Sequence, residues 1–245
     1  MSAPDAFQTS QDRYFGEADV ARFRWATADP AFTPVEDGLL LPRLGALGFP
    51  CLEIGCGEGI NLIRLAQRGR PVGIDRYFEK ARFAARAVPA ARLGVGDAVA
   101  LPFRDGAFAS VLIRDLLHHL PDPRQATAEA VRVLAPGGSL LLFEPNRGNP
   151  MVALQIRLIP AEAGARRSTP AHVRAMLDGL PLTDVSVEMA QGLPLRRLVL
   201  HYRFGLPALG RVRPMAALLA GLERVGERLL PAHRWSYVVV RARRR

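Results

Sequence analysis

The sequence predicts an α/β domain built on a mainly parallel sheet. Three observations carry this prediction. Between residues 50 and 146, short apolar runs of strand length alternate with helical patterns. A glycine-rich turn, Gly55-Cys56-Gly57-Glu58-Gly59, follows the first run and opens the first helix. Carboxylates, Asp75 and Asp97, stand where the second and third runs end. The 245 residues, 49% apolar and 7% aromatic, suffice for one such domain with a full core and a small cap.

The elements read as follows. Residues 13–49, with Tyr14, Phe15, Trp25 and Phe32, form one or two lead-in helices. Cys51–Ile54 is the first strand, and 58–67 the first core helix. A second strand covers 71–74 and ends at Asp75, a helix over 77–88 is stopped by Pro89, and a short strand covers 91–95. Residues 108–113 are the fourth strand. A helix over 124–134 is stopped by Pro136-Gly137-Gly138, and 139–143 is a fifth, fully apolar strand. Thr169-Pro170 starts a helix running to Asp178, with Thr as N-cap and Pro in the first helical position. Residues 184–189 and 235–240 are the last strands.

Between those strands, 190–234 carry a helical pattern of their own. Leu209, Val212, Met215, Leu218, Leu219, Leu222, Val225 and Leu229 recur every three or four residues and line one face. Such a face most often packs on its own domain. Pro214 limits or kinks this helix near its start, and Arg211, Arg213, Arg224 and Arg228 fall mostly elsewhere.

Net charge is +10, and all the excess lies late in the chain. Residues 1–146 hold 16 basic and 17 acidic side chains, whereas 147–245 hold 17 arginines against 6 acids. That asymmetry points to an anionic contact (a phosphate, a lipid headgroup or RNA) or to an ordinary solvated surface. No apolar run reaches the roughly 18 residues of a membrane span. The first twelve residues lack the apolar core of a secretion signal, so cytoplasm is the expectation. Cys51 and Cys56 have no metal-ligand spacing; they read as small buried residues of a reduced protein, and no metal is expected.

A glycine turn after a strand serves dinucleotides as well as other nucleoside ligands. Glu53 discriminates between them. It ends the first strand, beside the ligand position, where a carboxylate repels a pyrophosphate but favours the sulfonium and ammonium of S-adenosylmethionine. Asp75 can accept both ribose hydroxyls. Asp97 can accept from an adenine amino group, and the Ala98 backbone N–H can donate to the ring. Gly55, Cys56, Gly57, Gly59, Asn61 and Arg76 complete the expected cofactor set around this loop.

The ordered series Leu52 to Gly59, Gly73-Ile74-Asp75, Gly96-Asp97-Ala98, Leu101-Pro102-Phe103, Leu117-His118-His119-Leu120-Pro121-Asp122-Pro123 and Arg132-Val133-Leu134-Ala135-Pro136-Gly137-Gly138 resembles class I methyltransferases of type 11. It looks most like the branch with the ubiquinone and menaquinone enzymes. The match covers about residues 45–146. It departs from the pattern at Ala109, where an acidic residue often follows the Phe, and at Glu58, where Thr is common. The resemblance implies a Rossmann-like, seven-stranded, mostly parallel sheet of order 3-2-1-4-5-7-6. Helices would lie on both faces, S-adenosylmethionine over the strand ends, and a helical cap would come from the N-terminus and the late insert. One methyltransferase domain is then expected over 1–245. Its parts are lid helices at 1–45, a cofactor core at 46–146, an acceptor-side region at 147–234, and a last strand with a basic tail at 235–245.

Methyl transfer is a direct displacement at a sulfonium carbon, so the enzyme mainly holds the acceptor in line. A base is needed only if the acceptor must lose a proton. His119, and after it His118, are the catalytic candidates at the rim beyond the fourth strand, against the alternative of a structural His-His pair. Arg114 and Leu116 should touch the cofactor largely through backbone, and Tyr14 should reach it from the lid. Glu144 or Asn146 orients the acceptor or simply shapes its loop.

The acceptor-side region mixes apolar and arginine-rich stretches. It fits a small, hydrophobic acceptor that is lipid-like, quinone-like or natural-product-like, with peripheral contact to an anionic membrane as a further reading. The aromatics there, chiefly Tyr202, Phe204, Trp235 and Tyr237, form no stacking motif, which ranks nucleic acid last. An RNA methyltransferase, a non-catalytic cofactor-binding regulator and a dehydrogenase are the rivals. Acceptor identity, methylated atom and oligomeric state are not legible.

Overall fold

The computed structural model describes residues 6–16, 19–202 and 205–245; Phe204 lies outside them. Strands β1 (Cys51–Ile54), β2 (Val72–Asp75), β3 (Arg92–Val95), β4 (Phe108–Arg114), β5 (Leu134–Pro145), β6 (Leu182–Ala190) and β7 (Tyr237–Arg244) form one sheet. Its order is β3-β2-β1-β4-β5-β7-β6, as the resemblance implies. Neighbours from β3 to β5 pair in parallel, and β7 runs antiparallel to both β5 and β6.

Alternation along the strands builds a core on each face. Leu52, Ile54, Val111, Ile113, Leu140, Leu142, Val238 and Val240 join one apolar cluster with Ala126, Ala130 and Val173. Those partners belong to α6 (Pro123–Val133) and α8 (Pro170–Ala175). Cys51, Leu112, Leu141, Phe143 and Val239 face the other way, onto Leu39, Leu40, Leu44, Leu62 and Leu65. Those residues lie on α3 (Thr33–Leu44) and α4 (Ile60–Leu65). With both faces covered, the central strands are mostly apolar on both sides, which is why they read as short apolar runs in the sequence.

The lead-in region holds three helices: α1 (Ala6–Phe15), α2 (Val20–Ala28) and α3. Sequence reading allowed one or two, because each is short; α2 is capped by Asp19, which accepts from Arg22 N, whereas α3 has no side-chain cap. The core helix expected over 58–67 is only α4, since Gly59 stays left-handed at φ +91° and prolongs the loop. After it, α5 (Phe78–Ala87) fills the predicted position. Pro136-Gly137-Gly138 does not separate helix from strand. β5 begins at Leu134, directly after α6, and carries these residues through an irregularity in its pairing with β4.

Thr169 caps α8 by accepting from His172 N, as expected, but that helix ends at Ala175. The basic tail is a strand: β7 continues through Arg241, Arg243 and Arg244. The late region, residues 147–234, comprises α7 (Pro150–Leu158), α9 (Leu195–Val199) and α10 (Arg213–Leu229) besides α8 and β6. Pro214 lies in the first turn of α10, where its missing N–H has no partner to lose, so it starts the helix rather than kinking it. No described helix is long and apolar enough to cross a membrane.

Candidate active site

β1 is flanked by β2 on one side and β4 on the other, so the chain changes direction across the sheet at this point. A crevice opens there beyond the strand ends. A cavity of about 690 Å³ fills it, lined by Ile54, Gly55, Asp75, Arg76, Tyr77, Lys80, Asp97, Ala98, Asp115, Leu116 and His119 among others. Helix α1 roofs it with Gln11 and Phe15, and Gln11 Nε2 donates to the Ala161 carbonyl at 2.7 Å.

The glycine loop is shaped for close approach. Gly55 has φ +72°, and its N–H donates to the Ile74 carbonyl at 2.8 Å. A Cβ there would lie 2.8 Å from Leu116 Cδ1. Asp75 accepts from Gly57 N at 2.8 Å and Tyr77 N at 2.9 Å, which fixes its carboxylate at the cavity wall. Asp97 accepts from Val99 N at 3.1 Å and stands 3.7 Å from Arg76.

Glu53 is buried beneath this loop, one residue before the lining Ile54 and Gly55. Asn61 Nδ2 donates to its Oε1, while Oε2 is buried with no hydrogen-bond partner. Burial pushes its carboxyl up to about 8, and the Asn61 hydrogen bond and Arg114 offset this only in part. An orphaned buried carboxylate oxygen under a glycine loop fits a cationic ligand and opposes a pyrophosphate. Arg114 donates to Asn61 Oδ1 at 3.0 Å and pairs with Glu36. Burial opposes its charge, but Glu36 more than reverses that and holds it cationic.

The remaining expected residues sort as follows. Gly55, Asp75, Arg76, Asp97, Ala98, Leu116 and His119 line the cavity. Glu53, Cys56, Gly57, Gly59, Asn61 and Arg114 form its support rather than its wall. Arg114 is held there by its side chain, not presented by its backbone. Burial pushes both thiols up, Cys51 to about 12, so they are inert packing residues. Tyr14 does not line the cavity; Phe15 does. Tyr14 instead lies under the Arg22 guanidinium, 5.6 Å from its ring centre, because helix rotation turns residue 15 inward.

A second cavity of about 800 Å³ adjoins the first. Met151, Val152, Gln155 and Ile156 of α7, Arg197 and Leu198 of α9, Glu162, Pro145 and Tyr237 line it, and Phe15, Asp115 and His119 border both cavities. Asp115 is a non-glycine residue at φ +50°, held by the Tyr237 hydroxyl, which donates to Oδ2 at 2.8 Å. Left-handed non-glycine residues often mark functional sites.

The two histidines differ. His118 is buried between carboxylates, with Nδ1 2.8 Å from Glu144 Oε2 and Nε2 3.2 Å from Glu162 Oε2. Burial opposes its charge, yet Glu144 and Glu162 raise its pKa well above the usual imidazole range. The His119 ring lies tilted at 47° to that of His118, their centres 3.9 Å apart, and edges against Phe15 at 4.8 Å. Burial, then His118 and Lys80, lower its pKa well below the usual range and keep it neutral. Glu144 and Asn146 prove structural. Glu144 accepts the N–H groups of Leu116, Leu117 and His118, and Asn146 donates to the carbonyls of His233 and Trp235.

Sequence reasoning missed Phe15, Tyr77, Lys80, Asp115, Glu162 and Arg197. Lys80 carried a signal as the only lysine of the chain. Asp115 stood between two residues already singled out. Glu162 and Arg197 carried none, since they reach the site from a 3-10 turn (Pro160–Arg167) and a five-residue helix.

A family model described as a methyltransferase domain matches residues 52–142. The ubiquinone biosynthesis O-methyltransferase of Xanthomonas oryzae pv. oryzae is 31% identical over 193 residues, which cover 66% of this chain and 78% of that protein. The 27-O-demethylrifamycin SV methyltransferase of Amycolatopsis mediterranei is 34% identical, over 56% of this chain and 55% of its own. The chain spans between 31% and 78% of the length of the first curated relatives it matches. A solved SAM-dependent methyltransferase from Thermotoga maritima shares the fold. It aligns with a TM-score of 0.65 at 15% identity over 98% of this chain and 100% of that one.

Proposed function

The chain belongs to the class I S-adenosylmethionine-dependent methyltransferases, and on that footing we propose that it methylates an oxygen of a small hydrophobic acceptor seated between α7 and α9. The carrying observation is the junction of the two cavities at Phe15, Asp115 and His119. S-adenosylmethionine, when bound, supplies a methyl group on a sulfonium that leaves by direct displacement. Asp75 would hold the ribose, Asp97 and the Ala98 N–H the adenine, and Glu53 with the Gly55 turn the charged methionine end. Met151, Val152, Ile156 and Leu198 supply an apolar bed for the acceptor. The names of two relatives support this class: one is a 27-O-demethylrifamycin SV methyltransferase and one a ubiquinone biosynthesis O-methyltransferase.

His119 is the group best placed to accept the acceptor's proton. It is neutral, it borders both cavities, and its Nδ1 is buried without a partner. His118, bracketed by Glu144 and Glu162, positions it. The test is His119→Asn, assayed with labelled methyl donor on quinone, lipid and polyketide pools. Turnover should fall by about 100-fold or more while cofactor affinity stays. Unchanged turnover rejects the base.

A second reading, contact with an anionic membrane, is favoured by α10. Its apolar stripe does not pack on the domain: Leu218, Leu222, Val225 and Leu229 are exposed, and Leu219 alone on that stripe is buried. Glu223 and Glu227 tie the helix to Arg196 N and Gly192 N, leaving the stripe outward and Arg213, Arg224 and Arg228 beside it. Self-association through this face would bring arginines against arginines, whereas an anionic bilayer complements both features.

A further inference from the structure

Among the described residues that line the second cavity, Arg197 is the arginine, set in a wall that is otherwise mainly apolar or acidic. Its side chain keeps 20% of its surface accessible. Nη2 lies 2.7 Å from Glu36 Oε1, yet off the hydrogen-bond line: Nε and Nη2 of Arg197 and Oε1 of Glu36 are buried with no hydrogen-bond partner. Glu36 does not depend on this contact, since Arg114 already donates to its Oε2. The guanidinium stands instead over the Tyr237 ring, 4.9 Å from its centre. Burial opposes its charge and Glu36 more than restores it, so the side chain is a cation with unmet donors.

We propose that Arg197 seats a carboxylate of the acceptor, so that the acceptor is an apolar molecule bearing one acid group apart from the oxygen to be methylated. Arg197 lines only the second cavity, whereas His119 borders both. A molecule held by its acid at Arg197 therefore presents another part at the junction. Met151, Val152, Ile156 and Leu198 bed its apolar body. A single negative charge is what the surroundings admit. Asp115 and Glu162 line the same cavity. Asp115 is offset by Arg114 Nε at 3.3 Å and by the Tyr237 hydroxyl, and Glu162 by His118. A carboxylate meets the unmet guanidinium N–H groups, while a phosphate dianion would bring a second charge against those two carboxylates. That the bound molecule is the methyl acceptor rests on the methyl-transfer reading; the anion site does not.

The test is calorimetric titration of the full chain, without cofactor, with naphthoate, naphthamide and naphthyl phosphate. The acid should bind about 10-fold or more tighter than the amide, and tighter than the phosphate. Folded Arg197→Gln, checked by circular dichroism, should bind acid and amide alike. Should that variant fail to fold, Arg197→Lys keeps a charge beside Glu36 but lacks the planar guanidinium, and should lower the preference for the acid. No binding of the acid at millimolar concentration, equal affinity for acid and amide, a preference for the phosphate, or an acid preference undiminished in either folded variant overturns the proposal. Cofactor binding and methyl transfer are assayed separately, so failure of the anion site and failure of the enzymatic reading remain distinct results.

Discussion

In the proposed site, Glu53 would separate a cationic cofactor from a pyrophosphate through a single side chain. Its folded pKa of about 8 lies above the ordinary 4.5, so between those values the folded empty protein keeps a proton that the unfolded chain has lost. Stability therefore falls as pH rises across that window, and a cationic ligand reverses the preference by favouring the carboxylate. S-adenosylmethionine binding at pH 7 should release close to one proton and tighten as pH rises toward 8. Calorimetry in buffers of different ionisation enthalpy reads this directly, and Glu53→Gln should abolish the release. A buffer-independent enthalpy would place the cation elsewhere. Asp75→Ala should weaken cofactor binding by about 10- to 100-fold, the worth of one or two charge-assisted hydrogen bonds. Gly55→Val meets both a left-handed backbone and Leu116 and should abolish binding. At this scale the sequence was legible wherever residues follow a strand end, as at Asp75, Asp97 and Leu116. It misjudged Tyr14 for Phe15, because which side of a helix turns inward depends on packing that one short segment does not encode.

Among the elements, α7 lines the second cavity and α10 carries the exposed apolar stripe. Asn149 caps α7 by accepting from Met151 N and Val152 N, and its Nδ2 donates to the carbonyls of Gly192 and Arg234. Asn149→Ala removes a cap worth about 0.5–2 kcal/mol and leaves the buried Gly192 carbonyl unpaired at about 1–3 kcal/mol. Denaturant unfolding should show a loss of about 3 kcal/mol; a loss below about 1 kcal/mol would mean water replaces the side chain freely. For α10, the chain should sediment with phosphatidylglycerol vesicles and not with phosphatidylcholine vesicles. The exposed pair Leu222→Ser and Leu229→Ser should abolish this without unfolding the protein. Equal behaviour with both lipids, or a concentration-dependent dimer lost in that variant, would contradict the membrane reading. The strands and α5, α6 and α10 were legible because their apolar period is strong. α4, the start of β5 and the end of β7 were not. Their bounds depend on a left-handed glycine, a pairing irregularity and strand partners far along the chain.

Across the whole molecule, part of the late excess of arginine is taken up by contacts within the fold. Arg196 pairs with Glu223, Arg197 with Glu36, Arg211 with Asp29 and Arg241 with Glu188. Arg234 and Arg244 donate to backbone carbonyls. Those contacts tie the late region to the lead-in helices and to the sheet, and they leave less free cationic surface for RNA than the composition implied. Sheet order was legible only through resemblance, since no local pattern reveals that β7 inserts between β5 and β6. The most direct measurement is calorimetry of the chain with S-adenosylmethionine and S-adenosylhomocysteine, with NADH as the control. Micromolar binding of the first two and none of NADH is the predicted result; binding of NADH in their place, or of none of the three, would contradict the cofactor assignment on which the proposed methyl transfer stands.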